Sequence, residues 1–165
     1  MYHTIKEFND HWKGESEATL KLLSVLTDKS LNYESYKGGR TLGFIAWHIV
    51  ASMNSLLSQL GFKLDRKIDG SQAPKTAKEL VDAYKKSVLL VNKNISAWTD
   101  ESLTQKVILY GREWTRAMAL SSLIMHQVHH RGQLTILMRQ AGLKVPGVYG
   151  PSKEEWALMK MPAQP

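Results

Sequence analysis

Two Thr-x-x-Glu boxes punctuate the chain, at Thr4–Glu7 and at Thr76–Glu79. In such a box the threonine hydroxyl accepts from the amide three residues on, and the glutamate reaches back to the threonine amide. Two donors that a helix start leaves over are satisfied together. Each box heads a run with helical period. The first continues through Phe8, Trp12, Leu20, Leu22, Leu23 and Leu26, and the second extends to Trp98. Two more helices are expected. One runs from Thr41 to Leu60, is apolar nearly all round and is stopped by Gly61. The other runs from Thr115 to Gln140, with Arg139 in its last turn and Gly142 just past its end. Between the third and fourth helices, Val107-Ile-Leu-Tyr-Gly111 loses the helical period and reads as a short extended turn or hairpin. The segments Leu31 to Arg40 and Lys63 to Lys75 read as loops. The tail from Leu143 is irregular, with one turn at Ser152 to Leu158. The pattern predicts an all-α chain: one domain over residues 1–165, an antiparallel four-helix bundle with an irregular C-terminal tail. Two long connections leave room for a crossover, so a simple up-down-up-down order is not implied.

Composition removes several chemistries. The 165 residues contain no cysteine, which excludes disulfides, thiolate ligands, a cysteine nucleophile and a CxxC redox pair, and fits a reducing compartment. The stretch from Met1 to Trp12 carries charge throughout, so no secretory signal is expected there. The nearly charge-free run Thr41 to Phe62 contains Ser52, Asn54, Ser55, Ser58 and Gln59, a poor membrane span. A soluble, cytoplasmic protein without a membrane partner is expected. The net charge of +7 raises nucleic acid as a partner. Its basic residues are scattered, however, with no helix-turn-helix signature and no aromatic-basic platform, which disfavours that reading.

The histidines concentrate the remaining signal. On a wheel of about 100° per residue centred on His126, the arc within about 80° holds Ala119, Ser122, Leu123, His130, Gln133, Leu134, Ile136 and Leu137. Ile124, Val128, Arg131, Gly132, Thr135 and Arg139 fall opposite, which predicts a surface role for Arg131. His126 and His130, at i and i+4, put two imidazoles on one face, the helical way to offer two ligands to one ion. His129 lies at the edge of the arc and is the rival ligand. On the second helix, His48 shares a strip with Thr41, Ser52, Ser55 and Gln59. Small hydroxyl residues around a histidine in a buried helix leave room and supply hydrogen-bond partners. If the second and fourth helices are neighbours, His48, His126 and His130 converge. His3 and His11 are expected to face solvent.

Thr-Leu-Gly-Phe-Ile-Ala-Trp-His48, His126-Gln-Val-His-His130-Arg-Gly-Gln133 and the closing Gly142-Leu-Lys-Val-Pro146-Gly-Val-Tyr149-Gly-Pro151 together resemble the DinB/YfiT-like family of metal-dependent enzymes. The resemblance follows element order over nearly the whole chain. It implies a four-helix bundle holding a divalent ion through three histidines, here His48, His126 and His130. It also implies a homodimer, and a small-molecule substrate with a low-molecular-weight thiol as a candidate partner.

Three neutral imidazoles without a thiolate suit Zn or Ni, with Fe, Mn and Co also accommodated. Three protein ligands leave a position open, the pattern of a catalytic site. Ser52, Ser55, Gln133 and Tyr149 are the residues expected beside the ligands or substrate. No carboxylate stands at a motif spacing to serve as general base, and no GxSxG elbow offers a nucleophile. The function expected is a divalent-metal-dependent hydrolase or small-thiol-dependent transferase. The alternative is a non-enzymatic, stress-related metal-binding bundle, which a fourth protein ligand would indicate.

Overall fold

The computed structural model describes residues 1–62 and 73–162. Four long helices carry it: α1 (Ile5–Leu23), α2 (Leu42–Gln59), α3 (Ala77–Ile95) and α4 (Arg116–Gln140). Both expected capping boxes form, at Thr4 and Thr76. Thr41 and Thr115 cap α2 and α4 by accepting from the amides of Phe44 and Met118. The polar stretch expected between α2 and α3 falls, from 63 to 72, outside the described residues. The tail contributes a single short helix, α5 (Lys153–Leu158).

The expected hairpin is present. Strands β1 (Lys106–Leu109) and β2 (Arg112–Thr115) pair antiparallel, with Leu109 opposite Arg112. A two-residue turn of type I′, whose twist matches that of the strands, needs positive φ at both central residues. Tyr110 and Gly111 supply it at φ 52° and 74°. Glycine takes this conformation freely, whereas tyrosine adopts it under constraint. The constraint is visible: the Tyr110 amide donates to Gln59 Oε1 at 3.1 Å, tying the hairpin tip to the end of α2.

The bundle closes as a ring in which α1 packs on α3 and α4, and α2 also packs on α3 and α4. Side-chain partners give the directions. Glu15 meets Arg131 while Thr19 meets Gln127, so α1 and α4 are antiparallel. Ser52 meets His126 and His48 lies against His130, so α2 and α4 are antiparallel too. Trp12 bonds Asn92, and Thr19 and Tyr84 converge on Gln127, which sets α3 against α1. Thus α1 and α2 run one way and α3 and α4 the other. Sequence neighbours α1 and α2 stand across the ring, and the crossover that the long connections allowed is realised.

The core holds Phe8, Trp12, Ile49, Met53, Leu57, Tyr84, Leu120 and Leu134, all buried. Each large apolar side chain removed from water stabilises the fold by about 1.5–3 kcal/mol. Helix α4 departs from its expected orientation. Its buried stripe runs Leu120, Ile124, Gln127, Arg131, Leu134, Met138. Ile124 and Arg131, expected outside, are 3% exposed each, while Ile136, expected inside, is 62% exposed. The reason is a polar core that a wheel of apolar residues does not reveal. Arg131 donates to the Glu15 carboxylate, to the Glu15 carbonyl at 2.7 Å and to Thr19 Oγ1 at 3.2 Å. A buried guanidinium is retained where a carboxylate and further acceptors meet it. Turning α4 to seat Arg131 moves His126 and His130 to the edge of the core stripe, beside α2. No described helix is long and apolar enough to cross a membrane.

Candidate metal centre

His48 on α2 and His126 and His130 on α4 come together where the two helices face each other. Their candidate ligand atoms all lie within 4.8 Å of one another. The ring centroids are 4.5 Å apart for His48 and His130, 5.2 Å for His48 and His126, and 4.3 Å for His126 and His130. All three are held below the ordinary histidine pKa, chiefly by burial. For His126, burial and then the neighbouring histidines lower it to about 4. Neutral imidazoles are therefore what this cluster offers at neutral pH, and neutral imidazoles are the metal-binding form.

Neighbouring groups select which nitrogen each ring presents. The Ser52 hydroxyl donates to the His48 carbonyl at 2.6 Å, so its oxygen is left to accept from His126 Nδ1 at 3.2 Å. Gln133 Oε1 accepts from His130 Nδ1 at 2.7 Å. With both Nδ1 atoms protonated, the lone pairs of His126 and His130 are on Nε2, and these two atoms stand 3.1 Å apart. Two lone pairs facing at that distance have no proton to share. A cation between them answers the geometry, because nitrogens each about 2.0–2.1 Å from one zinc ion lie roughly 3.0–3.4 Å apart. The donor set fits a metal.

His129 is exposed, and its Nε2 accepts from the Gln133 amide at 3.2 Å. It lies outside the three-histidine group. Ser52 and Gln133 stand where the sequence reading put them, against the ligand candidates. Ser55 lines the cavity beside the histidines. Tyr149 is placed elsewhere. Its hydroxyl donates to Glu15 Oε2 at 2.8 Å and meets Arg131, so it closes the tail over the buried ion pair and does not enter the site. His3 and His11 are exposed, as expected. His11 nonetheless pairs with Tyr2 through Nδ1 at 2.7 Å.

A cavity of about 650 Å³ opens beside His48 and His126, lined by Ser52, Ser55, Ser122, Leu56 and Tyr110 among others. Among the described residues, no Asp or Glu lines it. The sequence does not mark Tyr110 as a site residue, and Ser122 stands on the His126 arc without being distinguished from its neighbours there. Tyr110 arrives from a hairpin tip that no helical period connects to α2, although its placement next to a glycine between two short strands marks it as a turn residue. A second groove, about 620 Å³, lies between α1 and α3 over Trp12, Tyr84 and Leu89, and holds no histidine.

Four helices in a closed ring, with three histidines gathered from two facing members, define a histidine-bearing four-helix-bundle protein. The chain belongs to the DinB family, whose model matches residues 1–164. It is 42% identical over 158 residues to the uncharacterised protein YrdA of Bacillus subtilis, with 95% of each chain covered. A DinB-like protein of Bacillus cereus, known from its crystal structure, is 45% identical with a TM-score of 0.82, covering 90% of this chain and 100% of that one. YfiT of Bacillus subtilis, a probable metal-dependent hydrolase with an unusual four-helix bundle topology, shares the fold. It is 20% identical at a TM-score of 0.57, over 84% of this chain and 90% of its own.

Proposed function

We propose that this chain is a divalent-metal-dependent enzyme acting on a small molecule, with His48, His126 and His130 holding one ion per chain. The observation that carries the reading is the approach of the His126 and His130 Nε2 atoms to 3.1 Å with a third histidine beside them. Zinc or nickel suits three neutral imidazoles without thiolate or carboxylate. The ion would supply Lewis-acid chemistry at its open coordination position, bringing the pKa of water or of a small thiol toward neutrality.

The chain's own residues do the rest. Ser52 and Gln133 hold two of the rings in the ligating tautomer, and such partners govern ligand orientation. His129 is occupied by Gln133, which argues against a fourth protein ligand and against a purely structural site. The cavity beside His126 admits a substrate. The chain has no cysteine, and no described residue lining the cavity is a carboxylate that could act as nucleophile, so hydrolysis, or transfer involving a low-molecular-weight thiol, is the chemistry supported. The likeness to YfiT supports the hydrolytic branch. The protein acts in the cytoplasm and pairs with a second copy, a reading to which the exposed Met125, Val128 and Ile136 on α4 lend an apolar surface.

Elemental analysis of untagged protein, followed by a screen of esters and small-molecule thiol conjugates with chelated and reloaded enzyme, tests the function. Activity should vanish on chelation and return with zinc or nickel. Turnover that survives complete chelation would overturn it. Light scattering at micromolar concentration should give twice the 18.7 kDa chain mass, and a monomer mass would reject the pairing.

A further inference from the structure

The charges around the histidine cluster are one-sided. Among the described residues no carboxylate lines the adjoining cavity, and a cation, Arg40, is linked to His48 through the Phe44 ring. Arg40 stands directly before α2. Its guanidinium carbon lies 4.8 Å from the Phe44 ring centroid, and the Phe44 ring is parallel to His48, 6° between planes at 6.2 Å. Guanidinium, phenyl and imidazole form a ladder at four-residue steps that ends on a metal-ligand candidate. Stacking on an aromatic face leaves the edge of the guanidinium, with its fork of donors, free to meet an oxyanion.

The backbone on both sides of Arg40 is pinned. The Gly39 amide donates to the Tyr36 carbonyl at 2.9 Å, and the Leu42 amide donates to the Tyr33 carbonyl at 2.8 Å. Thr41 caps the helix through the Phe44 amide at 3.0 Å. At Gly43 a Cβ would come 2.8 Å from the Leu31 carbonyl, so the first turn of α2 is pressed against the preceding segment. Arg40 is exposed, and the backbone that carries it is held on both sides. Arg131 and Arg139 on α4 have carboxylate partners, Glu15 and Glu154. Among the described residues Arg40 has none.

We propose that the site takes an anionic substrate, a small molecule bearing a carboxylate or phosphate, and that Arg40 orients that group while the reacting end lies at the histidine cluster. This rests on the three-histidine metal reading. A divalent ion on three neutral ligands would bring two positive charges with no carboxylate counterion among the described cavity residues, and Arg40 adds a third of the same sign. An anion answers both charges. Charge is the selector here: a neutral isostere of the same shape loses the Arg40 contact and keeps every other one.

Cobalt-loaded protein provides a readout independent of turnover, because a thiol that coordinates cobalt adds a sulfur-to-metal absorption band. Titration with mercaptoacetate and with its neutral isostere mercaptoacetamide gives two dissociation constants. Comparing their ratio between wild type and variants cancels the difference in thiol acidity. The ratio should fall about five- to tenfold in Arg40→Gln and stay within about threefold of wild type in Arg40→Lys. Mercaptoethyl phosphate against mercaptoethanol forms the phosphate arm, and the pair with the larger Arg40-dependent ratio names the oxyanion. Equal ratios in wild type and Arg40→Gln on both arms, with cobalt content unchanged, would overturn the role of Arg40. Failure of the wild type to take up cobalt would instead overturn the metal reading beneath it.

Discussion

Ser52 and Gln133 each occupy the Nδ1 of one histidine, and this fixes where the lone pairs go. A serine hydroxyl has one proton, and the His48 carbonyl takes it at 2.6 Å, so only acceptance is left for His126. Ser52→Ala removes that acceptor without touching a ligand atom. Zinc affinity should drop about tenfold, measured by competition with a chelator, while His126→Ala or His130→Ala should lose stoichiometric binding and His3→Ala should change nothing. Zinc content equal to wild type in His126→Ala and His130→Ala would remove both from the ligand set. The histidines were legible in the sequence because i,i+4 spacing is a local property of one helix, and so was Gln133. The identity of the third partner was not local. His48 enters only because α2 and α4 are ring neighbours, a fact of topology. Arg40 carries no spacing signal to the α4 histidines at all, since its link to them runs through Phe44 and His48.

At the scale of elements, caps and turns were readable and orientation was not. Thr4, Thr76, Thr41 and Thr115 begin helices as their side chains dictate, and Tyr110-Gly111 turns the hairpin. Helix α4 rotated away from its apolar wheel because Arg131 counts as a solvent-facing residue until Glu15, on another helix, is known to meet it. That pair makes its own prediction. Burial alone would raise the Glu15 pKa, but the hydrogen bonds from Arg131 and Tyr149 and the guanidinium charge outweigh it and leave the carboxyl below its ordinary value. A carboxyl with a lowered folded-state pKa binds fewer protons folded than unfolded, so its stabilisation is present above the ordinary carboxylate range and is lost as pH falls below it. Chemical denaturation should show Glu15→Ala destabilised by about 3–5 kcal/mol at neutral pH, because Arg131 is left buried without its counterion. The double variant Glu15→Leu, Arg131→Met should recover most of that loss. A Glu15→Ala protein as stable as wild type would show that the pair contributes nothing.

Over the whole molecule, the histidine cluster joins two helices that are separated in sequence by all of α3 and the hairpin. Helices α2 and α4 already share an apolar interface, so the fold does not depend on an ion, and the metal-free chain should fold. An ion held by both helices adds a crosslink present only in the folded state. Ligands that bind the native state alone stabilise it by RT ln(1 + [L]/Kd), about 2.7 kcal/mol at a hundredfold excess over Kd. For a chain of this size each kcal/mol moves the melting midpoint by about 2–4 °C, so saturating zinc should raise Tm by roughly 5–10 °C. The shift should disappear in His48→Ala as completely as in His126→Ala, because losing either helix's contribution breaks the bridge. His129→Ala should keep it, since that ring meets Gln133 and stands outside the cluster. Differential scanning calorimetry of the four proteins with and without zinc decides the point. A zinc-induced rise that persists in His48→Ala would mean the ion is held by α4 alone, and the three-histidine bridge between the helices would be wrong.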